Sequence, residues 1–222
     1  MPSVKIKKHA PDNDMTPFVD IAFLILSFFI MATKFKPPEP VEVTTPNSVS
    51  SITLPEKDAF MVSIDKDGKV FVTIDNPASR QALIENINKT RSLGLSSAEV
   101  KNFINASSIG VPFSQLKSLL SLDPDLESTE EVMGKQPGIP CADSTGGELT
   151  LWVREALVAY EGKKLNMLIK SDNSTKYPAF KYVLSAFKKN DQNKFLLVTS
   201  PEDAPPGTAL YETRQEQIFG DK

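Results

Sequence analysis

Apolar positions are spread unevenly over the 222 residues of this chain. Residues 18–33 read FVDIAFLILSFFIMAT, the one run of near-membrane length, and Asp20 is its sole ionisable group. Counted from Met15 to Phe35, a helix covers about 30 Å, the thickness of a bilayer hydrocarbon core. We read residues 14–35 as a retained transmembrane helix. Thr16 can cap it, and Pro17 suits a first turn that needs no backbone N–H. A signal peptide would have a shorter apolar stretch and a small-residue cleavage site. Here Met31-Ala32-Thr33 leads into Lys34, Phe35, Lys36 and a proline cluster. A buried core helix is the competing reading. The polar tail before it, residues 1–13, is too short to fold around such a helix.

After the span the pattern changes. Residues 36–55 are rich in Pro, Val, Thr and Ser, and Pro37, Pro38, Pro40 and Pro46 favour an extended linker over a helix. Ser51-Ile52-Thr53-Leu54 alternates like a short strand. Residues 60–64 and 69–74 are β-rich runs flanking Asp65-Lys66-Asp67-Gly68, a hairpin turn with glycine where a positive φ is needed. Residues 77–91 read as a helix with Leu83, Ile84 and Ile87 on one side. Ser96-Ser97-Ala98-Glu99 offers a capping box for a second helix to about Ala106, and residues 113–122 suggest a third. Residues 123–147 read mostly as loop, with room for a helical turn or two at 127–133. Order returns with a helix from Glu148 to a stop at Gly162, whose apolar face holds Leu149, Leu151, Trp152, Ala156, Leu157 and Tyr160. A strand at 165–170, a helix at 177–188 and a strand at 194–199 complete a β-α-β run. The expected fold class is α+β: helices packed on a sheet over residues 56–199, and a mainly helical stretch at about 75–147. The polar residues 200–222 read as a flexible tail.

Composition narrows the function. The formal net charge is −3 and the pI is near 5.4, which gives no electrostatic basis for nucleic-acid binding. A mean hydropathy of −0.20 marks most of the chain as water-soluble. The single cysteine, Cys141, excludes an intramolecular disulfide. His9 is the only histidine and lies in the N-terminal tail, so Ser-His catalysis and histidine-based metal sites are not expected. No Gly-rich phosphate loop occurs, and no enzyme activity or cofactor is expected. Lys5, Lys7 and Lys8 precede the apolar run and Lys34 and Lys36 follow it, which leans toward a cytoplasmic N-terminus.

Asp20 is the candidate for chemistry. At about 100° per residue, Leu24, Ser27 and Met31 share its helix face and Thr16 lies one turn earlier. Thr16, Asp20 and Ser27 thus form a thin polar stripe that should face protein or water, not lipid. A carboxylate takes up and releases a proton as its surroundings change, and one proton crossing 100 mV releases about 2.3 kcal/mol. The two hydroxyls can bridge Asp20 to water. The competing reading is an interfacial Asp20, three residues past Pro17, stabilised by the helix dipole.

The segment DMTPFVDIAFLILSFFIM, residues 14–31, resembles the membrane segment of the ExbD/TolR family, small proton-channel subunits of energy-transducing complexes in bacterial inner membranes. The resemblance extends to residues 51–73, with Leu54-Pro55 and the hairpin, and to residues 165–199, with a helix opened by Tyr177-Pro178. Residues 75–147 depart from it, because typical members have a short connection there. They look like an insertion. The resemblance implies that Asp20 is the proton-translocating carboxylate, with protons as the coupling ion. It implies a single-pass inner-membrane protein with a periplasmic C-terminal domain, dimeric inside a ring of ExbB/TolQ-like multi-span subunits. It further implies that Val41, Val43, Ile52 and Leu54 of the extended segment engage a TonB-like energy transducer by strand addition, driving uptake across the outer membrane. Two alternatives stand beside it. One is a TolR-like envelope-integrity subunit binding peptidoglycan, and the other an anchored periplasmic interaction module without proton transport.

Overall fold

The structure is a computed structural model, and it describes residues 15–32, 43–50, 52–55, 57–122, 130–141, 147–160, 162 and 164–212. The chain divides into two compact units, residues 1–37 and 38–222. The first holds helix α1, Thr16–Ala32. It starts at Thr16, one residue earlier than a Thr16 cap would place it, and Val19 N–H donates to Met15 C=O at 3.1 Å. Its large apolar side chains, from Met15 to Met31, are exposed. With 17 residues it is about 25 Å long. Among the described residues, no helix is long and apolar enough to cross a membrane.

The second unit begins with the two-residue strand β1, Asn47–Ser48, followed by the strands β2, Ala59–Ile64, and β3, Val70–Ile74. The helices α2, Pro77–Arg91, α3, Ser97–Asn105, and α4, Phe113–Leu120, come next. Short α5, Glu130–Lys135, and α6, Glu148–Ala159, lead to β4, Asn166–Ser171. The chain closes with α7, Tyr177–Lys188, β5, Leu196–Val198, and β6, Ser200–Pro201. The main sheet runs β3-β2-β4-β5. The β2–β3 pair is antiparallel, with Val62 opposite Val72, and β4 and β5 are added in parallel. Gly68 closes the hairpin at φ 83°, where a β-carbon would be strained.

One core joins sheet and helices. Phe60, Val62 and Ile64 of β2 and Ile169 of β4 meet Leu83, Ile84 and Ile87 of α2, Trp152 and Val153 of α6 and Val183 and Phe187 of α7. Phe103 of α3 and Leu116 and Leu120 of α4 belong to the same cluster, so α3 and α4 are fused to the core. Trp152 is stacked between Phe103 and Phe113, with ring centroids 5.9 and 5.3 Å away.

The mixed α+β architecture, the hairpin and the helices of residues 77–120 follow the sequence pattern. Three features differ from it. The pairing near the linker falls at Asn47–Ser48, because that stretch meets Ser200–Pro201 in a parallel pair, while residues 52–55 lie outside any strand. Strand β5 covers three residues, fewer than the strand expected over residues 194–199. Residues 200–204, which read as the start of a tail, carry β6 and the buried Ala204.

Candidate functional site

On α1, Thr16 and Asp20 are exposed and Ser27 is half-buried. Helix geometry places the three on one side, at intervals of four and seven residues. Around them Phe18, Phe23, Leu24 and Phe28 are also exposed. A contiguous apolar surface of this kind marks a helix meant for lipid or a partner, and Asp20 is its one charge.

The second candidate lies at the open edge of the sheet. Among the described residues, strand β5 pairs with β4 on one side only. A groove of about 490 Å³ is lined by Ile52 and Leu54 together with Phe195, Leu196 and Leu197 of the β5 region. Ile52 is 70% exposed and Leu197 40%. A further cavity of about 530 Å³ shares Phe195 and Leu196 and continues past Leu165, Met167 and Lys194. The two cavities thus adjoin along β5.

The partner-binding residues expected from the sequence therefore separate. Ile52 and Leu54 line the β5 groove. Val43 is buried at 9% exposure and does not line it. Val41 lies outside the described residues. The chain beyond Val43 is clasped to its own domain. Thr44 N–H donates to Asp172 Oδ2 at 2.9 Å, and Asn173 N–H donates to Thr44 C=O at 2.8 Å. Thr45 and Ser200 share a hydroxyl–hydroxyl hydrogen bond of 2.7 Å. Ser200 N–H reaches Pro46 C=O and Glu202 N–H reaches Ser48 C=O, both at 3.0 Å. Asp172 also accepts from Ser174 N–H at 2.8 Å. The backbone N–H groups of Ser174 and Thr44 hold its carboxyl below the usual carboxylate range.

Sequence reasoning missed this clasp and the β5 groove. The Asp172-Asn173 pair, turn-forming residues directly after a strand, was the available signal. Two further titratable groups are shifted by their surroundings. Burial, reinforced by Glu148, pushes the Cys141 thiol up to about 12, which leaves it protonated and unreactive. Burial and the hydrogen bond to Asp75 Oδ1, 2.7 Å long, push the Tyr160 phenol up. Among the described residues, no group of His, Cys, Asp and Glu could hold a metal ion. His9 lies outside them.

The chain thus combines an exposed apolar helix carrying one carboxylate with a mixed α+β domain. The family model of the biopolymer transport protein ExbD/TolR matches residues 7–202, and the chain belongs to that family. No curated protein and no solved structure matches it. Members of the family are transport proteins associated with the inner membrane, where they work in energy-transducing complexes.

Proposed function

We propose that this chain is the proton-channel subunit of an ExbB–ExbD-type inner-membrane motor that energises TonB-dependent transport across the outer membrane. The observation that carries the reading is α1, which bears one polar stripe, Thr16, Asp20 and Ser27, on a surface of exposed Phe, Leu and Ile. In this reading residues 14–35 form a single span, of which α1 is the central part. The 17 residues of α1 fall short of a span by themselves, and with the flanking residues of 14–35 the length reaches about 30 Å. The N-terminus is cytoplasmic and residues 38–222 are periplasmic.

The span works inside a ring of multi-span ExbB/TolQ-like subunits, with a second copy of this chain beside it. Buried there, Asp20 alternates between two water-connected sides, with Ser27 and Thr16 as relays. It loads a proton on one side and releases it on the other. The periplasmic domain receives the motion and passes it to a TonB-like transducer. That partner adds a strand at the β5 edge, with apolar side chains seated beside Ile52, Leu54, Phe195 and Leu197.

The test is Asp20→Asn in cells, scored for uptake that depends on proton-motive force, with co-purification of the ExbB-like partner as control. Asn keeps size and polarity and cannot ionise. The expected result is lost uptake with an intact complex. Near-normal uptake contradicts proton coupling through Asp20.

A further inference from the structure

A four-stranded open sheet has two edges, and an unpaired edge is a template for any strand that meets it. In this sheet the edges are treated differently. Among the described residues the β5 edge has no strand partner, whereas the β3 edge is occupied by the segment that follows β3.

Alternate residues of a strand turn their backbone groups to the same side. On β3 the outward set is Val70, Val72 and Ile74, and each outward carbonyl has a donor from beyond the strand. Ile139 N–H donates to Val70 C=O at 2.8 Å. Ile109 N–H donates to Val72 C=O at 2.9 Å, and Val72 N–H returns a bond to Ile109 C=O at 2.8 Å. The Arg80 guanidinium donates through Nε to Ile74 C=O. Arg80 also ties α2 to the end of α3, with Nη1 bonds of 2.8 Å to Ile104 C=O and 2.7 Å to Ala106 C=O. Two stretches of chain, around Ile109 and Ile139, thus stand where one further strand would. They are locked to each other by Gly138 N–H to Gly110 C=O at 2.7 Å, and by Gly110 N–H to Gln136 Oε1 at 2.7 Å.

The close approach depends on Gly110. A β-carbon there would lie 2.1 Å from Phe71 Cδ1. The Phe71 ring is itself buried, at 1% exposure, so it has little room to yield.

We propose that the segment between β3 and α6, the stretch that the family resemblance marks as inserted, is an edge guard. It closes the β3 edge to strand addition, held in place by Gly110, and leaves β5 as the edge at which the domain can take a strand. Its consequence for transport rests on the strand-addition reading above: one domain accepts one partner strand, at β5. The closure of β3 does not depend on that reading.

The experiment is residue-resolved amide exchange on the full chain in detergent, with assembly size measured by light scattering on the same samples. In the native chain the Val72 amide should exchange as slowly as the amides of β2. Gly110→Ala should speed exchange at residues 70–74 by about tenfold or more and raise the assembly size above that of the native chain. Gln136→Ala, a milder change, should move both readings in the same direction if Gly110→Ala fails to fold. Val72 exchanging as fast as the outward amides of β5 in the native chain would overturn the proposal. So would a folded Gly110→Ala whose β3 edge stays protected, or whose opened edge leaves the assembly size unchanged. A domain that never takes a partner strand at β5, with Val72 still protected, contradicts the strand-addition reading alone.

Discussion

At Trp152 the core carries a buried polar group with no partner among the described residues. The indole is fully buried between Phe103 and Phe113, and its Nε1 has no hydrogen-bond partner there. Leaving a buried donor unmet costs about 1–3 kcal/mol, so the stacking and area of the ring outweigh a standing penalty. Trp152→Ala should lose about 3–5 kcal/mol of stability in urea unfolding followed by far-UV circular dichroism. Trp152→Phe removes the unmet donor together with some volume, and should cost less than about 1.5 kcal/mol. Asp172 is the converse case, a carboxylate whose neighbours favour its charged form. Its folded value lies below its unfolded one, so its contribution is fully present above the unfolded value of about 3.9 and fades as pH falls through the folded value. Amide exchange at Thr44 and Asn173 should therefore accelerate, relative to β2, as pH is lowered through that window. In Asp172→Asn this pH dependence should disappear. An unchanged acid response in the variant would place the effect elsewhere.

Elements were legible where their determinants are local. Helix α2 keeps the bounds read from the sequence, because Asn76 caps it by accepting from Ala78 N–H at 3.0 Å, Pro77 opens it, and Leu83, Ile84 and Ile87 face the core. Helix α3 starts where its capping box predicts. Ser96 N–H donates to Glu99 Oε2 at 2.6 Å and Glu99 N–H to Ser96 Oγ at 3.3 Å. Ser96→Ala should lower stability by about 1 kcal/mol, read as a fall in the urea midpoint with unchanged slope. Strands β1 and β6 were not legible. Each has two residues, and Asn47 meets Ser200 only because the folded domain brings them together. No hydrophobic alternation marks such a pair. The cover on β3 was hidden for the same reason, since the Val72–Ile109 bridge is an isolated one. The stretch 194–199 yields a short β5 because it lies at the sheet edge, where only β4 supplies partners.

Over the whole molecule, the two candidate sites differ in how far they could be read. Asp20 stands out in the sequence because one charge interrupts fifteen residues of apolar and small side chains, a contrast that needs no fold to be seen. The β5 groove is assembled from residues 48–54 and 195–201, distant parts of the chain that only the fold joins. The clasp at Thr44 likewise depends on Asp172, far along the chain. One unit holds a carboxylate-bearing helix, and in the other the β3 edge is covered while β5, among the described residues, has one free side. The proposed function requires that protons pass by way of Asp20. The most direct measurement is proton flux into liposomes that hold the chain together with its ExbB-like partner, under an imposed potential, for the native chain and for Asp20→Asn at matched assembly. Flux is expected in the native complex, reduced to the level of empty liposomes by Asp20→Asn. Equal flux from both complexes would contradict proton passage by way of Asp20.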